Sequence, residues 1–217
     1  MKDAFLYMAG RYGEHATMNV EFGGSGMAHL GIDARKTLTT MAAELSAEFA
    51  TFEPDEVMLE WVRARNPASF EAVYPDKDAN YKEVRKLDLS ALEPLVAFPD
   101  SIIDNTRPVA DAAGTVIHQA FVGSCANGTL EDLALVAKVL EGRQVSPNVR
   151  FLVTPGSQNV YREALRTGII AKLSDAGALV TPATCGACGG GHMGVVGPNE
   201  TCITATTRNF KGRMGDP

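Results

Sequence analysis

The stretch Cys185-Gly-Ala-Cys188-Gly-Gly-Gly-His192 and the stretch Arg208-Asn-Phe-Lys-Gly-Arg213 each follow a predicted β-strand. Thiolates bind soft metals, glycines allow a backbone to approach a bulky ligand, and the planar arginine side chain binds carboxylates. A third thiol, Cys125, lies upstream in the tight loop of residues 123–128. Together these motifs predict a site built from thiols and arginines.

The second half of the chain alternates predicted strands with predicted helices. The strands span residues 116–122, 150–153, 178–181 and 201–206, and the helices span 129–140 and 160–166. Such alternation predicts a parallel sheet whose crossover connections are right-handed. Ligands bind at the carboxyl edge of such sheets, so we expect Cys125, Cys185 and Arg208, which follow strand ends, to meet there.

The first half of the chain has a less regular pattern. Apolar spacing predicts helices over residues 3–12, 34–49 and 54–65 and a strand over 18–22, and the charged residues 76–84 predict a solvated surface segment. Between residues 93 and 108 prolines, aspartates and an asparagine break the periodicity, which is typical of a linker. We therefore predict an α/β protein of two units, residues 1–97 and residues 98–217.

The composition excludes several classes of protein. The 217-residue chain carries a formal net charge of -6, so it lacks the basic signature of nucleic-acid binding. No apolar run approaches the roughly 20 residues of a transmembrane helix, and the opening residues lack the apolar core of a signal peptide. Four cysteines are too few for a disulfide scaffold in a chain of this length. We expect a cytoplasmic protein with metal-binding thiols and with neither nucleic acid nor a membrane as partner.

The cysteine spacing favours metal or redox chemistry. The thiols of Cys185 and Cys188 are close in sequence, and the glycines after them are poor helix formers, which disfavours a thioredoxin-like site. With Cys125 the motif offers three thiolates; a closed zinc site or an electron-transfer cluster takes four, whereas three leave one position open for substrate. Cys202 lies inside a predicted strand and is interpreted as a small buried apolar residue.

The charged residues near these motifs are open to two interpretations. Arg208 and Arg213 lie on the thiol edge and suit a di- or tricarboxylate, although an isolated arginine is commonly a solvated surface residue. Glu44 shares one face of a predicted helix with Thr40, and a carboxylate in that position is commonly just solvated. His192 lies beside the glycines, and its position favours neither contact with a ligand nor a purely structural place in the loop.

On these residues the chain resembles the large subunit of the aconitase superfamily, in its 3-isopropylmalate dehydratase and homoaconitase branch. The matching stretches are Gly123-Ser-Cys-Ala-Asn127 with Glu131-Asp-Leu133, Thr184-Cys-Gly-Ala-Cys-Gly-Gly-Gly-His-Met-Gly194, Arg208-Asn-Phe-Lys-Gly-Arg-Met-Gly215 and, more loosely, Thr37-Leu-Thr-Thr-Met-Ala-Ala-Glu44 with Glu53-Pro-Asp-Glu56. The resemblance extends over nearly the whole chain. It implies an aconitase-type fold of two three-layer α/β/α units with mostly parallel sheets.

The resemblance also implies a cofactor and a set of site residues. The family holds a [4Fe–4S] cluster whose fourth iron binds the substrate while water is eliminated and added back. The matching positions are Cys125, Cys185 and Cys188 for the cluster ligands, Arg208 and Arg213 for substrate carboxylate binding, and Glu44 for an active-site carboxylate. The implied function is a component of an iron–sulfur hydro-lyase or isomerase acting on 2-hydroxy di- or tricarboxylates, such as isopropylmalate or homoaconitate.

The resemblance covers about half of a family large subunit, so it implies further polypeptide in the complete enzyme. The family's N-terminal domain, which carries catalytic His and Asp residues, and its swivelling domain, often a separate small subunit, have no matching stretch in this sequence. The expected partners are a chain that supplies the N-terminal domain and a small subunit that supplies the swivelling domain. We expect the present chain to be inactive alone.

The resemblance also shows two exchanged residues. Thr40 and Thr207 stand where the family has asparagines beside the cluster. The alternative function is a non-catalytic module that binds metal and serves assembly or sensing.

Overall fold

Helices and short strands alternate along the chain, and the computed structural model describes all residues from Met1 to Pro217. The α-helices are α1 (Lys2–Tyr12), α2 (Ile32–Met41), α3 (Glu56–Arg63), α4 (Ser124–Asn127), α5 (Leu130–Val139), α6 (Gln158–Arg166) and α7 (Ile169–Asp175). The strands are β1 (Asn19–Phe22), β2 (Phe49–Phe52), β3 (Leu95–Ala97), β4 (Thr106–Pro108), β5 (Gln119–Gly123), β6 (Arg150–Thr154), β7 (Leu179–Val180) and β8 (Cys202–Thr204). None of the helices combines the length and the apolarity needed to cross a bilayer.

The second half of the chain forms a four-stranded sheet in the order β7-β6-β5-β8, and all its neighbouring strands are parallel. The predicted parallel sheet is therefore confirmed. Successive residues of a strand face opposite sides of a sheet, and in β6 Val153 packs with Leu133 of α5 and Leu173 of α7 in one core cluster. Leu152 packs in another cluster, which contains Cys188. The helices thus cover one face of the sheet, and loops carrying the sequence motifs pack on the other.

The start of α5 shows why the chain turns sharply after β5. Thr129 is the N-cap, its hydroxyl accepts from the backbone N–H of Asp132, and the Asp132 carboxylate accepts from the backbone N–H of Thr129. This reciprocal capping satisfies donors that the first helical turn leaves free. The capped start predicted for this helix is confirmed.

The first half of the chain has its own core and two small sheets. Phe5 of α1, Met41 of α2 and Leu45 are fully buried in that core. Strand β1 pairs with β2 in parallel, and β3 pairs with β4 in an antiparallel hairpin. The helix 3–12 and the strand 18–22 predicted from sequence are confirmed as α1 and β1, and the exposed residues 76–84 agree with the predicted surface segment.

The segment predicted as an irregular linker, residues 93–108, is instead the β3–β4 hairpin, so that prediction is wrong. Asp100 and Asp104, which break the apolar periodicity, adopt positive φ of 92° and 55° in the connection between the strands. Ile102 in the same connection is 5% exposed and belongs to the first core. The division of the chain after residue 97 stays a prediction, and residues 98–108 pack with the first half.

The predicted helix over residues 34–49 extends too far. Helix α2 ends at Met41, a short 3-10 turn follows over Ala42–Leu45, and Ser46 has a φ of 60° that ends the helical path. Phe49 fits the helical spacing, but it begins β2 and pairs with Asn19. The sequence prediction also missed α7, which begins after Gly168.

A buried ion pair fastens α2 to the start of α3. Arg35 is 3% exposed, and its guanidinium donates to both carboxylate oxygens of Asp55 at 2.6 Å. The remaining donors of Arg35 bind the carbonyl oxygens of Leu30 and Met27. Asp55 is also the N-cap of α3 and accepts from the backbone N–H of Met58. The hydrogen bonds from Arg35 hold the pKa of Asp55 below its ordinary value.

We expect the substitution Asp55→Asn to destabilise the protein by about 2 kcal/mol, because it keeps the cap but leaves the buried guanidinium without a counter-charge. The folded-state pKa of Asp55 is depressed, so its contribution is complete above the unfolded pKa of about 3.9 and is lost as the pH falls through the folded pKa. The stability difference between parent and variant should therefore shrink below about pH 4. Urea denaturation at several pH values checks this, with the exposed Glu60→Gln as control. An undiminished difference at pH 2 would contradict it.

Candidate metal and carboxylate site

The loop that carries Cys125 is fixed by a close approach between backbones. Gly123, the last residue of β5, has a φ of 141°, and a Cβ built on it would lie 2.1 Å from the carbonyl oxygen of Thr154. Ser124 follows with a φ of 68°, an uncommon conformation for a residue with a side chain. The chain then enters α4 at once, and Cys125 is exposed at the carboxyl edge of the sheet.

The turn that carries Cys185 and Cys188 packs against β5 and β6. Residues Gly186–Gly189 form a 3-10 turn, and the backbone N–H of Gly186 donates to the hydroxyl of Thr184 at 2.9 Å. A Cβ built on Gly186 would lie 2.6 Å from the Thr154 hydroxyl and 3.2 Å from the Phe121 ring, so the turn lies against both strands. Cys188 is 6% exposed, whereas Cys185 is exposed.

The arginine motif runs beside the glycine-rich loop. Val196 forms a parallel bridge with Gly215, its backbone N–H donates to the carbonyl oxygen of Met214 at 2.7 Å, and its own carbonyl oxygen accepts from the N–H of Asp216 at 2.9 Å. Met214 and Val196 belong to the same apolar cluster as Cys188. This packing fixes the segment of Arg213 next to the cysteine turn.

Charged residues from both halves of the chain converge beside Cys188. The Arg208 Nε atom lies 2.7 Å from Glu44 Oε1, and the Glu44 side chain is only 11% exposed. Burial raises the pKa of Glu44, and the positive charges of Arg208, Lys2 and Arg213 oppose that rise. Burial lowers the pKa of Lys2 to about 8, opposed by the negative charges of Glu44 and Cys188. Glu44 thus faces three cations, and Lys2 in turn faces the negative charges of Glu44, Cys188 and Asp3.

Three buried polar atoms of the cysteine and arginine motifs have no hydrogen-bond partner. They are the Ser124 hydroxyl and the Asn127 side-chain carbonyl oxygen, on either side of Cys125 in the chain, and the Arg213 Nε atom. Leaving a buried polar group unpaired is costly, so these atoms indicate that a further group completes the site. Thiolates are the ligands of iron–sulfur clusters, and three of them leave one iron of a four-iron cluster free. The residues present therefore fit such a group.

No group of three or more His, Cys, Asp or Glu side chains, the three cysteines of the motifs included, is arranged to hold a single metal ion. Other candidate residues lie outside the arrangement described above. His192 is exposed, and Cys202 lies in β8, where burial raises the pKa of its thiol and the Gln119 amide lies 3.7 Å from its sulfur. Thr207 is buried directly before Arg208, whereas Thr40 is exposed on α2.

The matches to known proteins extend over the whole chain. The family model described as "Aconitase family (aconitate hydratase)" matches residues 1–113 and 104–217. The chain belongs to the aconitase family. The α/β fold with mostly parallel sheets expected from the resemblance is therefore confirmed.

Three relatives place the chain more narrowly within the aconitase family. The chain is 50% identical over 214 residues to a 3-isopropylmalate dehydratase large subunit of Mycolicibacterium smegmatis, covering 99% of this chain and 51% of that relative. It is 44% identical over 218 residues to a probable methanogen homoaconitase large subunit of Methanothermobacter thermautotrophicus, covering 100% and 51%. It is 41% identical over 220 residues to a 3-isopropylmalate dehydratase large subunit 1 of Pyrococcus furiosus, covering 100% and 52%. The chain thus spans about half the length of the curated aconitase-family relatives it matches.

Two long-range contacts of this candidate site were missed from the sequence. Lys2 lies in no quoted motif, yet its ammonium reaches the turn after β8. The hydroxyl of Thr37 donates to the carbonyl oxygen of Ala126 at 2.9 Å and so joins α2 to the Cys125 loop. Thr37 begins one of the quoted matching stretches, but no local pattern indicates either contact, because the partners lie far away along the chain.

We expect Gly123→Ala to destabilise the protein by about 3 kcal/mol or more, because the new Cβ would collide with the backbone of Thr154 and the φ is unfavourable. Gly142 is a matched control, since it also has a positive φ, 69°, but nothing lies within 4 Å of a Cβ there. Gly142→Ala should cost only about 1 kcal/mol. Urea denaturation of both variants gives the comparison, and equal losses would contradict the close approach at Gly123.

Proposed function

We propose that this chain supplies the cluster ligands and the carboxylate-binding residues of an iron–sulfur hydro-lyase or isomerase that acts on 2-hydroxy di- or tricarboxylates. The observation that carries the proposal is the arginine motif itself: Arg208 pairs with Glu44 at 2.7 Å, and the segment of Arg213 packs beside the Cys188 turn. Two arginines beside a group of thiols favour a ligand with more than one carboxylate. Identity to large subunits named for 3-isopropylmalate dehydratase and homoaconitase supports a substrate of that kind.

Cys125, Cys185 and Cys188 would hold a [4Fe–4S] cluster in this proposal. The cluster would supply an iron with an open position, which acts as a Lewis acid toward the substrate's oxygen atoms. A four-iron cluster is bulkier than a single ion, so its thiolates stand further apart than the ligands of one ion. The support for this ligand set is the placement of both cysteine loops against β5 and the unpaired polar atoms around them.

The arginines would bind and orient the substrate carboxylates. Arg208 is 46% exposed at its side chain and is held by Glu44, so it can offer a second edge of its guanidinium to a ligand. The Arg213 guanidinium lies 5.3 Å from the centre of the Phe210 ring, which limits the directions it can take. Glu44, whose pKa is raised by burial, is suited to exchanging a proton with a bound ligand at its carboxylate oxygens.

Partners complete the proposed enzyme. The relatives are named large subunits, which supports a small subunit as partner. They extend over about twice the matched length, so the proposed enzyme also includes a polypeptide equivalent to their other half. Four free cysteines support a reducing, cytoplasmic setting. In the second candidate function the same thiols bind metal in a non-catalytic module for assembly or sensing.

We expect the chain reconstituted anaerobically with iron and sulfide to bind a cluster that depends on Cys125, Cys185 and Cys188. Serine at any of these positions removes a thiolate ligand and should abolish most of the bound iron and sulfide. Cys202→Ser is the matched control, because Cys202 lies in β8 and contacts Gln119. Iron and sulfide analysis with visible absorption measures the outcome. Cluster loss in Cys202→Ser, or none in Cys185→Ser, would refute the ligand assignment.

We also expect no turnover of 2-isopropylmalate or homocitrate by this chain alone. Elimination of water needs a base at the substrate carbon and an acid at the leaving oxygen in addition to a Lewis acid, and Glu44 can fill only one of these two roles. Each of them contributes orders of magnitude to the rate. A coupled absorbance assay on the reconstituted chain tests this, with Cys188→Ser as control. Turnover that disappears in Cys188→Ser would show that the chain needs no partner for catalysis.

A further inference from the structure

The turn after β8 carries Thr207 and Arg208, and residues of the first half of the chain hold it from several sides. Glu44 pairs with Arg208. The side-chain amide of Asn209 donates to the carbonyl oxygen of Phe98, and the backbone N–H of Asp100 donates to the carbonyl oxygen of Asn209 at 3.2 Å. These contacts fix the far end of the turn, at residues 208 and 209.

The near end of the turn is held by Lys2. Its ammonium, at the start of α1, donates to the carbonyl oxygen of Thr206 and lies 3.4 Å from that of Ala205. Within the turn, the Thr204 hydroxyl accepts from the backbone N–H of Thr206 at 3.1 Å and lies 3.0 Å from the Thr206 hydroxyl. The backbone carbonyls that precede Thr207 are thus bound by a single cation from outside the sheet.

The ammonium of Lys2 is removed from water, which lowers its pKa to about 8, and the negative charges of Glu44, Cys188 and Asp3 oppose this shift. A hydrogen bond from a charged donor is stronger than one from a neutral donor, and low local dielectric strengthens it further. The contact of Lys2 with the carbonyl oxygen of Thr206 is therefore a strong restraint on the turn.

We propose that Lys2 is a positioning residue of this site: through its hydrogen bonds it holds the backbone directly before Thr207 and Arg208. The inference rests on the proposed function where it concerns ligand binding by Arg208, and it adds a residue that no cysteine or arginine motif contains.

The proposal is tested on the full chain without iron, by hydrogen–deuterium exchange of the backbone amides in residues 205–208. Lys2→Met has a side chain of similar length without donors, and we expect about tenfold faster exchange there. Lys2→Arg keeps donors and charge and should restore the slow exchange. Lys138→Met removes an exposed lysine of α5 and serves as control. Unchanged exchange in Lys2→Met would overturn the positioning role.

The exchange measurement needs neither iron nor substrate, so it decides the positioning role whether or not the proposed function holds. Failure of the parent chain to assemble any cluster would refute the proposed function and leave the exchange result standing.

Discussion

The close approach of β5 and β6 at their carboxyl ends is the constraint on which the site depends. Gly123 touches the backbone of Thr154, and Gly128 is as tightly enclosed, because a Cβ on it would lie 2.6 Å from the carbonyl oxygens of both Ser124 and Thr154. No side chain fits between these backbones. The backbone of the Cys125 loop is therefore restricted to one conformation where it passes the end of β6. Both cysteine loops meet the same threonine, so any shift of this strand end would move all three thiols.

Much of the second half could be predicted from its sequence, because its strands are apolar and bounded by glycines and a helix cap. The parallel sheet, the capped α5 and the carboxyl-edge position of the Cys125 loop followed from these local signals. The first half was harder to predict. Its sheets are only two strands each, and residues 42–49 keep apolar spacing while the backbone changes from a 3-10 turn to a strand.

The candidate site could be predicted only in part, for a physical reason. Cysteine spacing and arginine spacing are visible in one stretch of sequence, and their chemistry can be inferred from residue type alone. The ion pair between Glu44 and Arg208 joins residues far apart in the chain, and the contact of Lys2 with Thr206 spans almost its whole length. Contacts of this kind leave no local pattern. The hairpin of β3 and β4 was mistaken for a linker for a related reason, since its stability comes from packing of Ile102 in a distant core.

The charges of the site are divided between the two halves of the chain, Lys2 and Glu44 from the first and Arg208 and Arg213 from the second. An anion that contacts cations from both halves at once binds most tightly when the two halves keep their present arrangement. By thermodynamic linkage, the free energy gained from this tighter binding also opposes separation of the two halves. The ligand then acts as a cross-link, and the bound protein should resist mechanical extension between α1 and β8 more than the free protein does.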